Sequence, residues 1–69
     1  MSLTMRFVTN LRRLRARRKL TRAALAARAR LSPMHVGRLE AGRQDPTLGT
    51  VAKLAKALRV SVMELLRVK

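Results

Sequence analysis

The sequence predicts an all-α fold of five short helices in one domain. Three observations predict it. Apolar residues recur every three or four positions along most of the chain, the spacing of helices with one buried face. Residues that start helices, Thr21, Ser32, Thr47 and Ser61, stand at the head of the last four apolar runs. No stretch alternates apolar and polar residues as a half-buried strand does. The chain has 69 residues, enough for a single core.

The first helix is expected over about 5–18, where Phe7, Leu11 and Leu14 recur with charge between them. Met1 to Thr4 is expected to precede it as a ragged end, which leaves residues 5–69 as the domain. Thr21 caps a second helix over about 21–29, rich in alanine. Ser32-Pro33 opens a third, with serine as cap and proline in the first turn. Val36 and Leu39 form its inner face, and Gly42 ends it near Ala41 with a left-handed cap. After a polar loop from Arg43 to Pro46, Thr47 caps a fourth helix over about 47–58. Its stripe of Leu48, Val51, Leu54, Ala55 and Leu58 is assigned to the core. Ser61 and Glu64 form a capping box for a terminal helix over about 61–67, with Val60, Met63, Leu65 and Leu66 as its apolar atoms.

Charge is the strongest compositional fact. Seventeen basic and three acidic residues give a net charge of +14. Repulsion of that size destabilises a compact chain, and a polyanion relieves it. The partners that qualify are nucleic acid, an anionic membrane or an acidic protein. Phe7 is the only aromatic residue, which weighs against modules that stack single-stranded bases on rings. Without cysteine there is no disulfide, thiol nucleophile or zinc-thiolate site, a composition that suits a reducing cytosol. No apolar run is long enough for a membrane span or a signal peptide. A membrane-active cationic helix is a competing reading. The breaks at Pro33, Gly42 and Pro46 and the defined caps favour a folded domain instead. No paired carboxylates, activated nucleophile or phosphate loop point to an enzyme, and no metal or other cofactor is expected.

The segment Leu20 to Gly42 carries the functional signal. It reads as two short helices joined by a tight turn, the second nearly free of acids on a strongly cationic body. A short exposed helix of that kind is suited to the major groove of duplex DNA. From Leu11 to Leu66 the chain resembles the lambda-repressor/Cro-type (XRE-type) helix-turn-helix domains. The matching pieces are Leu11-Arg12-Arg13-Leu14-Arg15, Leu20-Thr21-Arg22, Leu25-Ala26, Leu31-Ser32, Val36 and Leu39-Glu40-Ala41-Gly42. Pro46, Leu54-Ala55-Lys56-Ala57-Leu58, Val60-Ser61 and Glu64-Leu65-Leu66 complete the ordered set. The resemblance implies a five-helix lambda-repressor-like DNA-binding domain, with the helix-turn-helix at helices 2–3, that works as a homodimer. Three departures stand out. Arg30 occupies the turn where the family usually has glycine, and Arg22 replaces a frequent glutamine that contacts phosphate. The outer part of helix 3 offers few hydrogen-bonding groups.

Residue roles follow. Arg38 is the expected base reader, because a guanidinium fork fits O6 and N7 of guanine. Met34 is placed to pack on a thymine methyl, and His35 and Ser32 to touch a base edge or the backbone, with Ser32 first serving as helix cap. Pro33 and Gly37 complete that surface, Gly37 either by close approach to DNA or by packing on a neighbouring helix. Arg22, with Thr21, is expected to bind phosphate at the start of helix 2, and Arg43 and Gln44 to do so after helix 3. The resemblance implies a structural ion pair between Arg15 and Glu40. Six of the eight residues from Arg12 to Lys19 are basic, and Arg12, Arg13, Arg17, Arg18 and Lys19 read as a solvated electrostatic surface. Val62, Leu65, Leu66 and Val68 are the expected dimer contacts.

The function expected from all this is sequence-specific binding of double-stranded DNA by a small prokaryotic or phage-type transcriptional regulator, in the cytoplasm and at the nucleoid. The alternative is the antitoxin of a toxin–antitoxin pair, with a toxin as protein partner. Length leaves no space for a small-molecule effector domain.

Overall fold

The computed structural model describes residues 2–67, all of whose regular structure is helical. Helix α1 spans Leu3–Arg17. It starts two residues earlier than the apolar spacing suggests, because the Ser2 hydroxyl accepts the Met5 amide at 3.1 Å and caps it. Leu3 and Thr4, expected ahead of the helix, form its first turn. Helices α2 (Arg22–Ala29), α3 (Pro33–Glu40), α4 (Leu48–Leu58) and α5 (Val62–Leu66) follow. Thr21, Ser32, Thr47 and Ser61 each accept an amide three residues on, so every one is an N-cap. At α5 the Glu64 carboxylate returns the bond to the Ser61 amide at 3.0 Å, which completes the capping box.

The buried faces meet in one core. α2 packs on α3 and α4, α1 on α5 and α3, and α5 also on α4. Phe7, Leu11, Leu14, Leu25, Val36, Leu39, Val51, Leu54, Leu58 and Leu65 fill it. A buried asparagine pins the chain ends together. Asn10 Nδ2 donates to the carbonyls of Leu65 and Arg67, each at 2.9 Å. These are carbonyls at the end of α5, which the short helix leaves without partners of its own.

Two apolar assignments change. Leu65 is fully buried, so it belongs to the core and not to a surface for a second copy. It joins the common core, and Asn10 of α1 holds that end of α5 down through its backbone carbonyl. Leu48, assigned to the core, is 81% exposed. It shares a helical face with Val51, but as the first residue of α4 it overhangs the layer that covers that face. Met63 is also exposed.

Among the described residues three non-glycine residues adopt left-handed backbone, Lys19 (φ 56°), Arg30 (φ 58°) and Arg59 (φ 58°). Arg30 and Arg59 are the caps that end α2 and α4. Each conformation costs on the order of 1 kcal/mol relative to glycine, which lacks the Cβ that clashes there. Arg30→Gly is therefore expected to raise stability by up to about 1 kcal/mol and the melting temperature by roughly 5 °C. Thermal melts of the two proteins check this.

Candidate nucleic-acid interface

Helix α3 presents its outer face because its inner face is locked. Val36 and Leu39 are fully buried, and Glu40 is buried beside them. On the opposite side Met34 and Arg38 are exposed, Ser32 and Pro33 are exposed at the start of the helix, and His35 and Gly37 are half-buried. The Ser32 hydroxyl accepts the His35 amide at 3.0 Å. A Cβ added to Gly37 would meet nothing within 4 Å. Packing against a neighbouring helix therefore does not require this glycine, and the space beside it is open surface.

Glu40 fixes the pose of the helix pair. Arg15 donates to both carboxylate oxygens, through Nε to Oε2 and through Nη2 to Oε1 at 3.0 Å. Its Nη1 donates to the Leu20 carbonyl at 2.8 Å, which ties the α1–α2 turn to the same cluster. Arg22 adds a third arm, from Nε to Glu40 Oε1 at 2.9 Å. One buried carboxylate thus joins α1, α2 and the end of α3. Burial by itself raises the Glu40 pKa, but the hydrogen bonds and charges of Arg15 and Arg22 outweigh it and hold the group below the ordinary carboxylate range. The bond to Glu40 raises the Arg15 pKa in turn, against the opposing effect of burial. The resemblance pointed to Arg15 and Glu40 alone. Arg22, expected at a phosphate, also bonds Glu40 through Nε, with its side chain 54% exposed.

The Arg22–Glu40 bond sets the start of α2 beside the end of α3, where the next loop begins. Thr21 is exposed and its hydroxyl accepts the Ala24 amide at 3.0 Å. Arg43 and Gln44 are exposed just past Gly42, which has φ 71°. The Gly42 and Arg43 amides donate back to the carbonyls of Leu39 and Arg38, so the loop leaves α3 in a fixed direction. The Thr4 hydroxyl then bonds the Asp45 carboxylate at 2.7 Å and anchors the loop to α1. Sequence reasoning missed this anchor, which joins residues 41 positions apart and has no local signature.

The expected readers and phosphate contacts come from the start of α2, the exposed part of α3 and the α3–α4 loop. The helix-turn-helix family model HTH_3 matches residues 11–65, the span that contains every one of these elements. The chain belongs to the XRE-type helix-turn-helix family. That family has the lambda-repressor-like fold of DNA-binding transcriptional regulators. A relative from Sinorhizobium fredii, an uncharacterized HTH-type transcriptional regulator named y4dJ, is 42% identical over 57 residues. That alignment covers 83% of this chain and 74% of the relative. The structure is similar to the restriction-modification controller protein C.AhdI from Aeromonas hydrophila, with TM-score 0.86 and 34% identity over 90% of this chain and 94% of that one. It also resembles the clp gene regulator ClgR from Corynebacterium glutamicum, with TM-score 0.89 and 32% identity over 96% of this chain and 70% of that one.

Of the expected dimer contacts, Val62 is exposed, Leu66 is half-buried, Leu65 is core, and Val68 lies outside the described residues. An apolar recess of about 230 Å³ was not foreseen. Leu3, Phe7, Pro46, Leu48, Val51 and Leu66 line it. Leu3 is 59% and Leu48 81% exposed at its rim. Among the described residues no helix is long and apolar enough to cross a membrane, and no cluster of acids and histidine is suited to a metal.

Proposed function

We propose that this chain is a transcriptional regulator that binds specific double-stranded DNA as a homodimer, at the nucleoid. The observation that carries this reading is the outward face of α3, with Met34 66% exposed and Arg38 beside it on a helix clamped from behind through Glu40. A rigid helix with an exposed face and a cationic frame is what the major groove admits.

In this reading Arg38 reads guanine by its fork, and Met34 packs on a thymine methyl. His35, Ser32 and Pro33 line the same approach. Thr21, Arg43 and Gln44 hold phosphates on either side. Arg22 serves twice, since a guanidinium has five donors and Glu40 engages only Nε. Gly37 lets the helix lie close to the bases. Gly37→Ala separates its two roles. Alanine favours the helix by about 1 kcal/mol, so stability is expected to rise while DNA affinity falls. Melts and mobility shifts on the same protein check both.

The second copy docks on the apolar recess. This interface keeps Leu66, which lines the recess, and the exposed Val62 of the same helix. It drops the buried Leu65, adds Leu3 and Leu48, and leaves Val68 aside as outside the described residues. A patch of this kind on a chain of 69 residues is best covered by a partner. Leu48→Glu is expected to leave the fold intact, since the side chain is exposed, and to convert a dimer into a monomer in sedimentation.

Selection of bound duplexes from a random pool tests the function. A palindrome with half-sites about 34 Å apart is expected, matching two recognition helices related by a two-fold axis. A pool that stays random after selection contradicts the reading.

A further inference from the structure

A second cationic site lies away from the proposed interface. Arg28 and Arg30 at the end of α2, and Lys53, Lys56 and Arg59 along and beyond α4, line an open recess of about 580 Å³. Ala29 and Ala57 form its floor. None of the three acidic side chains of the chain, Glu40, Asp45 and Glu64, borders it. The interface proposed above uses the first turn of α2, whereas this recess uses the last, and the eight-residue helix separates them by about 12 Å.

The backbone gives an independent observation. Of the three described non-glycine residues with left-handed backbone, Arg30 and Arg59 line this one recess and Lys19 does not, and glycine would adopt both conformations without strain. Proximity to helix C-termini accounts for Arg28 and Lys56, which sit in the last turns of α2 and α4. It does not account for arginine in place of glycine at two caps. The α1 end adds to the cluster, because Arg18 Nη2 donates to the Arg59 carbonyl at 3.4 Å.

We infer that this recess is a second polyanion site that takes the phosphate backbone of a second DNA duplex, so that the protein bridges two segments. Five cations without a carboxylate in one open concavity match the charge of a phosphate backbone. The recess offers flexible lysines and no aromatic ring, so it positions a backbone and reads no sequence.

Duplex capture tests it with the whole chain. An immobilised duplex is saturated with protein and washed, and a labelled second duplex is added at low salt. Wild type is expected to capture it. Lys53→Gln/Lys56→Gln and Arg30→Gly/Arg59→Gly are each expected to lower capture at least tenfold, with retention on the first duplex within twofold. The lysine pair should also reduce the log–log salt slope of capture by about 1.8. The glycine pair should melt higher than wild type, which rules out unfolding as the cause of any loss. Absence of capture by wild type, capture unchanged in both variants, or capture that falls in step with first-duplex retention would each overturn the inference. Failure of the proposed regulator function reads out separately, as loss of protein from the first duplex.

Discussion

Glu40→Ala is expected to lose about 3 kcal/mol of folding stability, because it leaves Arg15, only 21% exposed, facing a buried gap where a carboxylate stood, while the half-exposed Arg22 turns to water. A domain of this size has only roughly 3–10 kcal/mol in total, at about 0.05–0.15 kcal/mol per residue. The variant is therefore expected to be largely unfolded at 37 °C, and circular dichroism melts check this. Glu40→Gln keeps the shape and one acceptor but not the charge, so it should fall between the two. The same cluster makes a pH prediction with a definite sign. The folded-state pKa of Glu40 is depressed relative to the unfolded chain, whose value is about 4.3. Its contribution is fully present above that unfolded value and is lost as pH falls through the lower, folded one. Wild type should lose stability below about pH 4 more steeply than Glu40→Gln, and the difference between their acid limbs isolates this carboxylate. Equal limbs would show that Arg15 and Arg22 do not stabilise its charge.

Arg38→Ala is expected to leave stability almost unchanged and to weaken specific binding by about 1–3 kcal/mol, or roughly 5- to 150-fold. Arg38 is exposed, and no protein group accepts its guanidinium among the described hydrogen bonds. The loss should fall mainly on operator DNA. Binding to random duplex should change little, because a base contact adds discrimination over the shared phosphate term. Titrations against both DNAs in the same salt measure the two effects together. A uniform loss across sequences would place Arg38 at a phosphate and move base reading to Met34 and His35.

The fold was legible because its punctuation is local. Four capping hydroxyls, Pro33 and Gly42 each act within three or four residues, so their meaning does not depend on the rest of the chain. The exposed face of α3 was legible for the same reason, since Val36 and Leu39 define the inward side of a short helix. What escaped depends on distant partners. Leu48 and Leu65 have the same chemistry, yet one is exposed and the other fills the core, and only the packing of the helices distinguishes them. The bond from Arg22 to Glu40 was not foreseen, because nothing in the local sequence of Arg22 reports a carboxylate 18 positions on. Asn10 reads as a surface residue until α5 brings unpaired carbonyls to it. The left-handed Lys19 and Arg59 were also missed, because glycine is the usual sign of that conformation and neither site has one.

In the proposed reading α3 enters the major groove with Arg38 at a guanine edge. Protection of guanine N7 from methylation by dimethyl sulfate tests it most directly, since N7 is exposed only in that groove. On a selected duplex, wild type is expected to protect guanines in two patches one helical turn apart, and Arg38→Ala to lose protection at the guanine it reads. Binding that leaves every guanine N7 reactive would contradict the account.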